Sequence, residues 1–177
     1  MFLIIHASHR HGYHWVVAKQ LERELMTHQI EVEVVDLSSI FIDYCCGTQI
    51  CQETDCIYND QFTKEIRQLL LNTSGVYVIT PTYFNMPPAK LKNFIDRTNA
   101  ILPTMEKKEN PPFFGAWVSG EADMGSINCN LQLLHDYADI MCWQRIDRLD
   151  HTVLLEENTV VDNSRICEIA NCVCEIL

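Results

Sequence analysis

Tyr83 and Phe84 stand inside Pro81-Thr-Tyr-Phe-Asn-Met-Pro-Pro88, an aromatic pair on a stretch stiffened by three prolines. Such a loop resists regular structure. A stiff aromatic loop offers a face for a flat ring, although the same residues also suit an ordinary strand-to-helix connection with two core aromatics. Nine cysteines offer thiol chemistry, four of them (Cys45, Cys46, Cys51 and Cys56) within one short connection. The count is odd, so a complete disulfide framework is not expected; reduced thiols in a reducing compartment are. Four histidines, His6, His9, His11 and His14, cluster near the start. Imidazoles suit zinc, copper or nickel. Here His6 ends an apolar run and the other three share one short segment, so solvated or phosphate-facing side chains are the expected reading, not a metal site.

The elements that position these residues follow from periodicity. Phe2–His6, Glu31–Leu37, Gly75–Thr80 and Phe113–Val118 are short apolar or β-branched runs of the kind that fill buried strands. Trp143–Leu155 alternates imperfectly and is expected to supply a fifth strand. Between them, apolar residues recur at helical spacing: Val17, Ala18, Leu21 and Leu25; Phe62, Ile66, Leu69 and Leu70, with Asp60 as cap; Leu91, Phe94, Ile95, Ile101 and Leu102; Ile127, Leu131, Leu134, Ala138 and Met141. A terminal helix carries Ile166, Ile169, Ala170, Val173 and Ile176. Five strands alternating with five helices predict one α/β domain over residues 1–177, a flavodoxin-like three-layer sandwich around a five-stranded parallel sheet. In that order a ligand crevice lies near the carboxyl ends of the first and third strands. Ser8–Trp15, Pro81–Pro88 and Ser119–Gly125 are the loops expected to meet there.

The 177 residues include 13 basic and 24 acidic side chains, a formal net charge of −11. Duplex nucleic acid and anionic membranes are poor partners for such a surface. No apolar run of about 18 residues is present, so no membrane span is expected. The apolar start is too short for a signal sequence and carries no basic region, so a cytoplasmic location is expected. An anionic ligand has to be held locally, by backbone N–H groups and one or two cations.

Three motifs together resemble the flavodoxin-fold NADPH-dependent FMN reductases and their iron–sulfur flavoprotein relatives. Pro81-Thr-Tyr-Phe84 followed by Ala89-Lys-Leu-Lys-Asn-Phe-Ile-Asp-Arg97 is similar, without gaps, to the family's aromatic loop and the helix after it. Ala7-Ser-His-Arg10 resembles the turn that holds the FMN phosphate; His14 and Trp15 stand where the family has Asn and then Ser or Thr. Asp43-Tyr-Cys-Cys-Gly-Thr48 with Cys51 and Cys56 resembles the family's cysteine stretch. The resemblance covers roughly residues 1–141.

What the resemblance implies is an FMN-binding, NAD(P)H-dependent oxidoreductase that passes electrons to a quinone, a flavin or another small-molecule acceptor. It implies Ser8, Arg10, Gly12, His14 and Trp15 at the phosphate, and Pro81, Thr82, Tyr83, Phe84, Asn85 and Met86 around the isoalloxazine. Ser119, Gly120 and Gly125 fall at the pyrimidine edge. Cys45, Cys51 and Cys56 fall on three of four cluster-ligand places, with Thr48 in the fourth and Cys46 out of register. Thiolate is the usual ligand, so a [4Fe–4S] cluster is not expected. The family also implies a homodimer or homotetramer. A non-enzymatic flavodoxin-type electron carrier and a flavin-free ligand-binding module are the alternatives.

Overall fold

The computed structural model describes residues 1–48, 50–53 and 56–177; residues 49, 54 and 55, inside the cysteine-rich connection, lie outside the described residues. Among the described residues, six strands form one parallel sheet: β1 (Phe2–His6), β2 (Val32–Asp36), β3 (Gly75–Pro81), β4 (Phe113–Gly120), β5 (Gln144–Arg145) and β6 (His151–Leu154). Their order is β2-β1-β3-β4-β5, with β6 also paired to β4. The helices are α1 (Tyr13–Thr27), α2 (Arg67–Asn72, entered through a π-helical turn), α3 (Ala89–Arg97), α4 (Leu102–Met105), α5 (Met124–Ile140) and α6 (Asn163–Ile176). Among the described residues, no helix is long and apolar enough to cross a membrane.

Strand alternation divides the core into two layers. Leu3, Ile5, Val76, Val78, Phe114, Ala116 and Val118 face α3 and α5, packing with Phe94, Leu134 and Tyr137. Phe2, Ile4, Tyr77, Ile79, Phe113 and Trp117 face α1 and α6, packing with Leu21, Leu25, Ile169 and Val173. A strand with apolar side chains on both faces has to lie in the middle of such a sandwich, which is why the runs read as continuously hydrophobic.

The expected fifth strand is two. β5 pairs with β4 at Phe113 and Phe114, and β6 pairs with it from Trp117 to Gly120. Between them the 3₁₀ turn Asp147–Leu149 turns Leu149 into the core, fully buried. Gly115 makes room for it: a Cβ there would stand 2.4 Å from the Leu149 Cβ. The Asp150 carboxylate accepts the Ala116 N–H at 3.0 Å, replacing the missing ladder bond. The single helix expected over Leu91–Leu102 is also divided, into α3, a 3₁₀ turn over Thr98–Ile101, and α4. The Thr98 hydroxyl donates back to Ile95 O, and Pro103 supplies no N–H.

The polar residues of α3 strap the cysteine-rich connection down. Lys90 Nζ donates to the carbonyls of Leu37 and Ser38 at 2.8 and 3.1 Å, Asn93 to Ile42 O at 2.9 Å, and Arg97 to Asp43 O at 2.8 Å. Positions 90, 93 and 97 share one helical face. Arg97, 1% exposed, also forms a two-pronged pair with Asp60. The Asp60 carboxylate in turn accepts the Thr63 N–H, as the cap reading expects.

Candidate functional site

A cavity of about 1020 Å³ opens at the carboxyl ends of β1, β3 and β4. Its lining includes Ser8, Arg10, Gly12 and His14 from the first loop and start of α1, Pro81, Thr82, Tyr83, Phe84 and Asn85 from the second loop, and Ser119 and Gly120 from the end of β4. These segments meet because β1 and β4 flank β3 in the sheet.

At the first loop, Gly12 is the N-cap of α1 and supplies no side-chain cap. The first N–H groups of the helix are thus left for water or a ligand, and the helix dipole favours an anion there. Ser8 Oγ accepts the Arg10 N–H at 3.2 Å and lies 3.3 Å from the Tyr83 hydroxyl, linking first loop to second. Arg10 is exposed, lines the cavity and, among the described residues, forms no ion pair.

At the second loop, Tyr83 and Met86 exchange backbone hydrogen bonds at 2.8 and 3.0 Å, closing a two-residue turn. Phe84 and Asn85 at its tip both have left-handed backbone, φ 50° and 61°, the pairing of a type I′ turn. Phe84 is fully exposed, and its ring stands clear of the protein at the cavity mouth.

The third segment differs from expectation. Ser119 and Gly120 are strand, not loop: Ser119 pairs with Pro81 on one side and Val153 on the other. Ser119 Oγ shares a hydrogen bond with His14 Nε2 at 2.6 Å. His14 is thereby anchored across the crevice. Burial, and then the nearby His6, push its pKa down to about 4, so the ring is neutral at pH 7. A Cβ on Gly120 would stand 1.9 Å from Thr82 Oγ1, so only glycine lets the second loop lie this close.

Three expected site residues lie outside the lining. Trp15, one helical step beyond His14, points to the β2 side, stacking on His11 at 4.4 Å and meeting His6 edge-on. It does not fill the first-loop anion position. Met86 closes the turn through its backbone and carries its side chain outward. Gly125 lies in the first turn of α5, beside the Asp123 N-cap. His9, Tyr13, Glu121, Ala122 and Leu155 also line the cavity. His9 stacks on Tyr83 at 5.5 Å and 15°. An imidazole one residue after Ser8 was visible in the sequence; its ring partner, 74 positions on, was not.

The clustered histidines divide: His9 and His14 line the cavity, while His6 and His11 share one carboxylate. His6, fully buried, bonds through Nδ1 to Asp36 Oδ1 at 3.0 Å, and His11 through Nε2 to Asp36 Oδ2 at 2.7 Å. Burial pushes the Asp36 carboxyl up, but hydrogen bonds from His6, His11 and Ser38 more than offset this and leave it at about 2. The ionised carboxylate makes both imidazoles donors. His6 is therefore structural, not solvated. Among the described residues, no group of three or more His, Cys, Asp or Glu side chains is arranged to hold a metal ion. Cys51 Sγ accepts from Asn99 and Cys56 Sγ from the Arg97 guanidinium, with Cys45 half-buried and Cys46 exposed. With Thr48 in the fourth place, the described thiols do not fit a four-thiolate cluster.

A parallel sheet in the order 2-1-3-4-5, with a cavity at its carboxyl edge beneath an uncapped helix start, defines the flavodoxin-like class. Residues 1–151 match the sequence profile of the NADPH-dependent FMN reductases, and the chain belongs to that family. An iron–sulfur flavoprotein from Archaeoglobus fulgidus is 34% identical over 76 residues, 42% of this chain and 34% of its own length. The match thus spans about a third of that relative. Among solved structures, a flavone reductase superposes with a TM-score of 0.71 at 15% identity, covering 98% of this chain and 62% of that one. A flavodoxin, WrbA-like protein from Agrobacterium tumefaciens does so with 0.68 at 12% identity, over 99% and 98%.

Proposed function

We propose that the chain binds FMN in this cavity and uses it to move electrons from a reduced nicotinamide, NADPH or NADH, to a small acceptor such as a quinone or free flavin. One observation carries the reading: an uncapped helix start flanked by Ser8 and Arg10 opens into the same cavity as an aromatic turn. A phosphorylated planar ring needs those two features at opposite ends of one site. The donor set fits the cofactor. The α1 N–H groups, Ser8 and Arg10 hold the phosphate; Tyr83 and Phe84 face the ring; Thr82, Asn85, Ser119 and Gly120 line its edge. Trp15, Met86 and Gly125 have no direct part. Bound FMN supplies hydride and electron transfer. The protein would orient the ring, and His14 in the cavity wall stays neutral at pH 7.

Added FMN is expected to bind with quenched flavin fluorescence, and the loaded protein to oxidise NADPH or NADH in steady state with a quinone present. A colourless protein that takes up no FMN overturns the reading. The net charge of −11 favours a second one, a flavodoxin-type carrier that docks on a basic partner. FMN binding without nicotinamide turnover selects it. Family membership supports a homodimer or homotetramer, which light scattering checks.

A further inference from the structure

Asn130 lies on α5, outside the cavity lining, and is 3% exposed. Its Nδ2 donates to Asn85 O at 3.0 Å and to Ser126 O at 2.8 Å. Two carbonyl acceptors at one nitrogen fix the orientation of the amide, because the reverse would set oxygen against oxygen. Its Oδ1 is buried and, among the described residues, without a partner.

The Asn85 carbonyl belongs to the tip of the Tyr83–Met86 turn. Left-handed backbone suits asparagine, but it is costly for a phenylalanine. Phe84 gains nothing from burial to offset that cost, since it is fully exposed. Such strain persists where the surroundings over-determine the conformation. Among the described residues, Asn130 is the only side chain that hydrogen-bonds the backbone of this turn. Leucine at 130 would remove the donor together with the unpaired acceptor, so the core loses little while the turn loses its tether.

We propose that Asn130 is a positioning residue: its amide tethers the Asn85 carbonyl and so holds Phe84 left-handed, with its ring presented at the cavity mouth. Its purpose rests on the flavin reading; its action on the backbone does not. In the whole chain, N130L is expected to speed hydrogen exchange at the Tyr83 and Met86 amides about tenfold, while β3 and β4 amides keep their protection. FMN affinity should fall about tenfold with it, the ring-facing turn being no longer preorganised. In an F84G background the effect of N130L on exchange should shrink to about twofold, because glycine adopts left-handed backbone without strain. Unchanged exchange at both amides overturns the inference, as does an equal effect in the F84G background. If N130L does not fold, N130S takes its place, and loss of the fold in both overturns the inference by making Asn130 a core residue. A wild-type chain that binds no FMN sinks the flavin reading, while the exchange result still decides the role of Asn130.

Discussion

Acid should weaken this fold in a window set by His14. The ring is 7% exposed, and burial followed by the proximity of His6 holds its pKa at about 4, against 6.5 for the free side chain. Between those values the folded state binds fewer protons than the unfolded one. The contribution is therefore full above about pH 6.5 and is lost as pH falls toward 4. At about 1.4 kcal/mol per pH unit the gap is worth about 3 kcal/mol, most of it gone by about pH 4.5. His6, lowered chiefly by burial, adds in the same direction. Asp36 and Asp60, both at about 2, titrate below the window. Burial raises Asp150, which acts in the opposite sense. The variant H14Q isolates the ring, since glutamine keeps a polar group for Ser119 and does not titrate. Urea unfolding followed by tryptophan fluorescence at about pH 7 and about pH 4.5 should show wild type losing about 2 kcal/mol more than H14Q, at equal m values. Parallel losses in the two proteins would refute the argument.

Three further outcomes follow from the geometry. G120A drives a methyl into Thr82 and should cost about 1–3 kcal/mol in thermal unfolding, with T82A in the same chain recovering much of it. R97M leaves the buried Asp60 carboxylate uncompensated and should cost about 3–5 kcal/mol, whereas D60N added to R97M should restore part of the loss in chemical denaturation. R10A should weaken FMN binding about tenfold and leave riboflavin binding unchanged in fluorescence titration, since only FMN carries the phosphate; equal weakening of both would remove Arg10 from the phosphate site.

Local patterns made much of this protein legible in advance. Phe2–His6 emerges as a strand with the bounds its apolar run predicts, and the buried face of α5 follows the spacing of Ile127, Leu134 and Ala138. A buried parallel strand must be apolar on both faces and a core-facing helix apolar on one, so period and composition suffice for either. The βαβ alternation makes the sheet parallel, and the flavodoxin-like order expected for it is the one found, which brings the three loops to one edge.

What crosses the sheet was not local. His14 and Ser119 meet 105 positions apart, and Asn130 reaches Asn85 across 45. Neither pairing leaves a periodic trace, because each depends on the register of strands and the rotation of a helix about its axis. His14 and Trp15 point about 100° apart on the helix, so its rotation sets His14 in the cavity wall and Trp15 outside it. The division of the last strand likewise rests on one long-range fit, Leu149 against the bare backbone of Gly115. Burial patterns that neighbouring residues carry together were enough for the layers and for an aromatic loop at the end of a strand. Which polar groups line the cavity and which hold its walls depended on the folded arrangement, because hydrogen-bond partners are chosen by distance in space.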